Sequence, residues 1–289
     1  MSEDSFASHR SLLFTVAYEM LGSAADAEDV VQETWLRWDG VDKAEVREPR
    51  AYLVRIVTRQ ALNRLRTLAR RREEYVGEWL PEPLLTSPDV AADVELAESV
   101  SIAMLTVLET LGPAERAVFV LREVFDAPYD EIGEAVGKSP AAVRQIAHRA
   151  RRHVAARRPR MPVSTTEQQE VVTRFLAAIR DGDVQGLLDV LAPDVVLVAD
   201  GGGLVAAALR PIRGADHVAD FVMRVQRLAE FEVRPVWLNG SLAGRVEIGG
   251  ELNTAMSLAV ENGRIIGIYA IRNPHKLVRL DTAAALTRT

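Results

Sequence analysis

The spacing of hydrophobic positions changes once along the chain and divides it into two structural classes. Residues 5–72 and about 94–156 carry apolar residues at helical spacing, and a polar, proline-containing stretch at 73–93 separates them. A second proline-containing stretch covers 159–166, where Ser164 followed by Glu167 is typical of a helix N-terminus. The first half of the chain is therefore expected to be helical.

Beyond the next helix, the pattern becomes that of short strands. Turn signals such as Asn239-Gly240, Gly249-Gly250 and Asn262-Gly263 separate runs rich in β-branched residues. The runs are DVVLVAD, FEVRPVWL, SLAGRVEIG, NTAMSLAV and RIIGIYAI. They predict an antiparallel sheet with helices on one face, so the fold class is multidomain, with two all-α domains followed by an α+β domain. The expected limits are 1–72 and 94–158 for the helical domains, 73–93 and 159–166 for the linkers, and 167–289 for the α+β domain.

The segment Tyr129–Val154 has the pattern of two helices joined by a tight turn. On a helical wheel of its second helix, one face is apolar and the opposite face is basic. The apolar face contains Val143, Ile146, Ala147, Ala150 and Val154. Because Ser139 suits the N-cap and Pro140 the first helical position, the segment predicts a helix-turn-helix with 140–154 as the DNA recognition helix. The alternative is a surface helical hairpin with a solvated basic face.

A second basic segment, Pro49–Arg72, also predicts an amphipathic helix. Arg55, Arg59, Arg66 and Arg70 form one stripe, and Leu53, Val57, Ala61, Leu65 and Leu68 lie opposite. The fit is imperfect because Leu62 falls on the basic side and Arg64 on the apolar side. Just upstream of this segment lie Trp35 and Trp38, and Tyr52 lies within it. Aromatic rings beside a basic helix suit stacking with unpaired bases. The alternative is that both tryptophans belong to the core.

Upstream of these aromatics lies an acidic segment, Asp26–Trp38, with the sequence DAEDVVQETWLRW. Its acids alternate with Val30, Val31 and Leu36 at helical spacing. The segment is either a solvated acidic face or a docking helix for a basic protein partner.

Charge segregation strengthens the nucleic-acid interpretation although the net charge is −6 over 289 residues. Eight arginines and no acid occur from Arg50 to Arg72, and seven arginines and no acid from Arg144 to Arg160. The absence of cysteine excludes disulfides and thiol chemistry and fits a reducing compartment. No signal peptide or membrane-spanning run is evident, so we expect a cytoplasmic protein with no membrane partner. We also expect no cofactor.

The three helical pieces, in this order, resemble the extracytoplasmic-function (ECF) sigma factors of bacterial RNA polymerase. DAEDVVQETWLRW is similar to the region 2 helix that docks on the polymerase, and Arg50–Arg72 to the part that melts and reads the −10 element. LGPAER, EIGEAVG and SPAAVR are similar to region 4, which reads the −35 element. The resemblance covers residues ~5–157 and implies core RNA polymerase, through its β′ clamp and β flap, and promoter DNA as partners.

The resemblance also assigns roles to individual positions. Polymerase docking would involve Asp26, Glu28, Asp29, Gln32 and Glu33. Contacts to the −10 element and its melting would involve Trp35, Arg37, Trp38, Tyr52, Arg55, Arg59, Asn63 and Arg66. Contacts to the −35 element would involve Ser139, Arg144, Gln145, His148, Arg149, Arg151 and Arg152.

Three further motifs resemble those of the ECF group that carries a fused SnoaL-like (NTF2-like) C-terminal domain. They are YVGEWLPEP at Tyr75–Pro83, DGGG at Asp200–Gly203, and NPHKL at Asn273–Leu277. The chain departs from the group at Glu78, and at Leu204, where the group has lysine. The resemblance implies regulation in cis by this domain, with no separate anti-sigma protein. The contact residues would be Tyr75, Trp79, Leu80, Pro81, Pro83, Asp200, Gly201, Gly202, Gly203, Asn273, Pro274, Lys276 and Leu277.

Two other roles for the C-terminal domain stay open. SnoaL-like folds include cyclases and isomerases, and the available acid/base residues are His217, His275, Asp194, Asp200 and Asp216. Asp216 and His217 are adjacent on a predicted helix and do not share a face, so catalysis is not favoured. The domain could instead bind a small molecule and shift a packing equilibrium.

Overall fold

The computed structural model describes residues 2–157, 164–227 and 231–288. The side chain of Arg70 and most of the second predicted linker, 159–163, lie outside the described residues. The chain forms two compact units, each treated separately below. The first contains residues 2–74, 104–157 and 285–288, and the second contains 75–103, 164–227 and 231–284.

The elements follow the predicted order of helices and then strands. The helices are α1 (Ser2–Leu21), α2 (Ala24–Asp39), α3 (Pro49–Glu73), α4 (Val94–Ser99), α5 (Ile102–Leu108), α6 (Pro113–Phe119), α7 (Tyr129–Val136), α8 (Pro140–Ala155), α9 (Thr165–Asp181), α10 (Val184–Val190), α11 (Ala215–Gln226) and α12 (Pro274–Leu277). The strands are β1 (Leu191–Asp200), β2 (Ile212–Arg213), β3 (Phe231–Leu238), β4 (Ser241–Ile248), β5 (Glu251–Glu261) and β6 (Arg264–Ile271). Short 3-10 helices at Lys43–Glu45 and Pro88–Ala92 and a π-helical turn at Val120–Val124 complete the helical elements.

In the first unit, α3 packs by the apolar face predicted from its sequence. Leu53, Val57, Ala61 and Leu65 are buried, and the exceptional Leu62 is buried as well. Arg64, on the apolar side, forms ion pairs of 3.0 Å with Asp26 and 2.5 Å with Asp29 of α2. The imperfect periodicity therefore reflects an interhelical ion-pair cluster.

The helix-turn-helix lies in the same unit and has the predicted geometry. All five residues of the predicted apolar face of α8 are buried, and the Ser139 hydroxyl accepts a hydrogen bond from the Ala142 amide at 3.3 Å. Gly137 ends α7 in the left-handed conformation, with φ +70°. A Cβ on Gly133 would lie 2.6 Å from the Lys138 carbonyl oxygen, so the close turn between the two helices requires glycine there.

The second unit contains a six-stranded sheet in the order β2-β1-β6-β5-β4-β3. The predicted hairpin turns are confirmed, since β3, β4, β5 and β6 pair antiparallel through them. The prediction of an antiparallel sheet is wrong for one strand pair, because β1 pairs with β6 in parallel. The chain leaves β1 through α11 and three hairpins before β6 returns beside it in the same direction. The two-residue β2, paired with β1, gave no sequence signal.

Most of the predicted first linker belongs to the second unit. Residues 75–103 cluster with the sheet, although the sequence suggested that region 4 begins at 94. Leu80 and Ile102 are fully buried in an apolar cluster with Leu238, Ile271 and Leu277. The domain limits inferred from the sequence stay a prediction, and the contacts group residues 75–103 with the C-terminal domain.

Candidate nucleic-acid interface and linker site

The predicted recognition helix, α8, presents its polar side chains to solvent. The candidate base-reading and phosphate residues from Arg144 to Arg152 are exposed, and Arg144, Arg149 and Arg151 also contact neighbours in the same unit. Arg151 donates to Glu123 at 2.7 Å and to the Tyr129 hydroxyl at 2.8 Å. Arg149 lies 3.6 Å from Glu115, and Arg144 lies over the Tyr129 ring at 5.6 Å. The surface suits a polyanion, because its fixed charges are positive and lie on one helix face.

The candidate melting residues of region 2 fall into two groups. Trp35 is 40% exposed, but Trp38 is only 3% exposed and packs against Tyr52 with ring centroids 5.9 Å apart. Trp38 therefore lies in the core, which was the alternative to base stacking for the two tryptophans. Arg37, Asn63 and Arg66 are exposed.

Two arginines of α3 contact the helix-turn-helix within the first unit. Arg55 forms an ion pair of 2.8 Å with Glu134 of α7 and lies over the Tyr52 ring. Arg59 donates to the Glu134 carbonyl oxygen at 2.7 Å. The buried Arg116 of α6 donates to the Glu19 carbonyl oxygen of α1 at 2.9 Å, and burial lowers the pKa of Arg116 to about 9. Arg116 and Glu134 lie in the quoted motifs LGPAER and EIGEAVG, but the sequence did not indicate these contacts.

The candidate polymerase-docking acids of α2 are partly engaged by neighbouring helices. Glu28 pairs with Arg10 at 2.6 Å, and Glu33 accepts from Gln60 at 2.9 Å. Asp26 and Asp29 bind Arg64, as described above. Gln32 is exposed, and Leu36, at 59% exposure, leaves an apolar surface beside it.

Within the second unit, the linker motif is held by a buried carboxylate. Asp200, at the end of β1, is fully buried and accepts from the Tyr75 hydroxyl at 2.6 Å and the Leu80 amide at 2.9 Å. Desolvation and this hydrogen bond to the carboxylate raise the pKa of Tyr75. Asn273 donates from its side-chain amide to the same hydroxyl at 2.8 Å. Three segments distant in sequence therefore meet at one carboxylate.

Lys276 supplies the cation of this site. Its ammonium lies 2.6 Å from Asp200 and donates to the Leu80 carbonyl oxygen at 2.5 Å. It also lies 4.1 Å from the centroid of the Trp79 ring, a cation–π distance. Leu204, where the family group has lysine, is 56% exposed. The positive charge facing Asp200 therefore comes from NPHKL.

The three glycines of DGGG allow the linker to approach closely. Gly202 has φ +62°, and a Cβ there would lie 2.3 Å from the Asn273 amide nitrogen. Gly203 has φ +71°, with Val76 of the linker 3.0 Å from a Cβ. Gly201 is buried against the Val205 carbonyl oxygen. Of the remaining predicted contact residues, Pro81, Pro83 and Leu277 are buried, whereas Pro274 is exposed at the start of α12.

A second linker anchor was not foreseen. Fully buried Asn239 accepts from the Leu84 amide and donates through its backbone to the Leu84 carbonyl oxygen, both at 2.9 Å. Thr86 adds a bond from its amide to the Trp237 carbonyl oxygen at 3.0 Å. Leu85 thereby bridges to Leu238 at the β3 edge of the sheet. The sequence marked Asn239-Gly240 only as a turn, because a turn asparagine and an anchoring asparagine look alike.

The second unit also contains a cavity of about 620 Å³, including its mouth, between α11 and the sheet. Its lining is mostly apolar, and Arg272 is the ionisable side chain among the described lining residues. Asp216 and His217 are exposed on α11 and do not line it. In the described residues, no cluster of side chains suits a metal ion, and no helix is both long and apolar enough to cross a membrane.

Two family models match the helical part of the chain. Residues 6–71 match the family model for Sigma-70 region 2, and residues 101–154 match that for Sigma-70, region 4. The ECF RNA polymerase sigma factor SigJ of Mycobacterium tuberculosis (strain ATCC 25618 / H37Rv) is 39% identical over 292 residues, covering 96% of this chain and 93% of SigJ. This chain belongs to the ECF RNA polymerase sigma factors.

Further similarities cover more than nine tenths of the chain. The probable ECF RNA polymerase sigma factor SigI of M. tuberculosis (strain CDC 1551 / Oshkosh) is 32% identical over 274 residues, covering 93% of this chain and 92% of SigI. The crystal structure of M. tuberculosis SigJ superposes with a TM-score of 0.77 at 33% identity, covering 96% of this chain and 99% of that structure. The predicted fold class, helical sigma domains followed by a helix-and-sheet domain, is confirmed.

Proposed function

We propose that this sigma factor directs core RNA polymerase to promoters with −10 and −35 elements, and that its C-terminal domain restrains initiation in cis by holding the linker. Membership of the ECF sigma factors supports the first part. The buried Asp200 site supports the second, because it binds the chain segment that connects region 2 to region 4.

The restraint follows from the position of the bound segment in the chain. Tyr75, Leu80 and Leu84 are held by Asp200 and Asn239, and these residues lie between the two promoter-reading regions. A bound linker cannot extend, and a chain spans at most about 3.3–3.6 Å for each extended residue. We therefore propose that initiation requires release of the linker, and that the C-terminal domain takes the place of a separate anti-sigma protein.

The contact between α3 and α7 suggests a second element of the restrained state. Arg55 and Arg59, proposed to contact melted DNA, bind Glu134 of region 4 in the first unit. DNA binding by these two side chains would require the contact to break. We propose that polymerase binding separates region 2 from region 4 and thereby frees the two arginine side chains.

The domain is proposed to act by binding and not by catalysis. General acid–base chemistry needs a titrating group within hydrogen-bond reach of the substrate. His217 and Asp216 are exposed outside the cavity lining, and Asp200 is occupied by the linker and Lys276.

Promoter reading can be tested by transcription in vitro with core RNA polymerase and templates from upstream of the protein's own coding sequence. Gln145→Ala is expected to reduce initiation by about 5- to 150-fold, because a base contact is worth roughly 1–3 kcal/mol. The control Arg180→Ala changes an exposed residue of α9 that pairs with Asp181 and should leave initiation unchanged. Initiation by neither wild type nor control on any such template would contradict the proposal.

A further inference from the structure

Among the described residues that line the cavity of the second unit, Arg272 is the charged one. Phe221 and Val222 of α11 and Met256 of β5 form part of the apolar wall, and Arg272 follows β6 at its rim. The guanidinium group of Arg272 donates to the Ala206 carbonyl oxygen and, at 3.0 Å, to the Asn253 side-chain oxygen. Both partners are neutral.

This guanidinium differs from the buried cation at the linker site. Lys276 has a carboxylate partner, whereas Arg272 forms no ion pair within the described residues. Partial burial lowers the pKa of Arg272. A guanidinium has five donors in a planar fork that matches a carboxylate. A bound anion would therefore give Arg272 the charged partner that the described residues do not provide.

We propose that the cavity binds a small apolar carboxylate, whose anionic group pairs with Arg272 and whose apolar body packs against Phe221, Val222 and Met256. The lining of the cavity combines an apolar wall with few polar groups, Asn253, Thr254 and Arg272 among them, the composition typical of small-molecule sites.

Arg272 also connects the cavity to the linker site. Its backbone amide donates to the Asp200 carbonyl oxygen at 2.7 Å, and the next residue, Asn273, binds the Tyr75 hydroxyl. Ala206 accepts a hydrogen bond from the guanidinium and lies in the loop that follows DGGG. Gly203 of DGGG lies against Val76 of the linker. A carboxylate that draws the guanidinium away from Ala206 would loosen this loop and favour linker release. This coupling rests on the proposed function, whereas the binding site does not.

Binding can be measured by calorimetric titration of the full chain with phenylacetate and octanoate, each compared with its uncharged amide. We expect each carboxylate to bind at least about 10-fold more tightly than its amide, because charge-assisted hydrogen bonds are the stronger ones. Arg272→Gln is expected to remove this preference. Arg213→Gln, an exposed arginine of β2 outside the lining, is the matched control and should retain it. Should Arg272→Gln fail to fold, Arg272→Lys should weaken the preference while keeping the charge.

Equal affinity for carboxylate and amide, a preference that survives in Arg272→Gln, or the absence of saturable binding of both carboxylates would overturn the site. The coupling is tested separately by hydrogen exchange of the Leu80 amide, which should become faster with carboxylate and stay unchanged with amide. Unchanged exchange at saturating carboxylate would overturn the coupling. Both measurements omit polymerase and DNA, so their failure is distinguishable from failure of the proposed function.

Discussion

At the scale of single residues, the linker contact depends most on Asp200. Its fully buried carboxylate is stabilised by Lys276, the Tyr75 hydroxyl and the Leu80 amide. A buried charge without partners is costly, so removing one partner affects the others as well. The sequence motifs identified most of these residues, but the pairing of Asp200 with Lys276 became evident only from the fold.

Lys276→Met should destabilise the second unit by about 3–5 kcal/mol, because it leaves the buried carboxylate without its cation. The double variant Lys276→Met with Asp200→Asn should lose less than the sum of the two single variants. The measurement is the free energy of unfolding in denaturant for all four proteins. Additive losses would show that the two side chains do not interact.

Tyr75 gives a prediction about pH. Its pKa is raised in the folded protein, so its hydroxyl stays protonated where an ordinary tyrosine, with a pKa of about 10, ionises. Its contribution to stability should therefore be fully present below about pH 10 and lost as the pH rises further. The tyrosinate absorbance of wild type minus that of Tyr75→Phe should show no titration up to about pH 11. A difference titration with a midpoint near pH 10 would contradict the buried contact with Asp200.

At the scale of elements, periodicity predicted helices and strands well because most of them bury one face. The predicted faces of α3 and α8 are the buried ones, and Arg64 departs from the pattern because it pairs with α2. The parallel pairing of β1 with β6 and the bridge of Leu85 to Leu238 could not be predicted, since both join segments far apart in sequence. Local patterns carry no information on such pairings.

The contact between α3 and α7 gives a prediction at this scale. Glu134→Arg should place a cation against Arg55 and Arg59 and weaken the packing of region 2 on region 4. The replaced ion pair is partly exposed and worth at most about 1 kcal/mol, so affinity for core polymerase should rise by about 2- to 5-fold. Affinity is measured without DNA, with Asp130→Arg on the exposed side of α7 as the control. Equal affinities of the two variants would argue against a restraining contact.

At the scale of the whole molecule, the order of the segments along the chain accounts for the proposed regulation. The linker that connects the two promoter-reading regions is bound by residues that come after both of them. The resemblance located the three motifs involved, whereas the contacts of Asn239, Arg116 and Glu134 were missed because each joins segments far apart in sequence.

The most direct test is transcription in vitro by full-length wild type, Asp200→Asn and the control Asp181→Asn, with equal amounts of core polymerase. Asp181 is exposed in the same domain and pairs with Arg180, so its replacement should change nothing. The account predicts that Asp200→Asn, which removes the charge that holds Lys276 and weakens the hold on the linker, initiates at least about 5-fold more than wild type. Initiation equal to or below that of wild type, from a protein that remains folded, would contradict restraint by the bound linker.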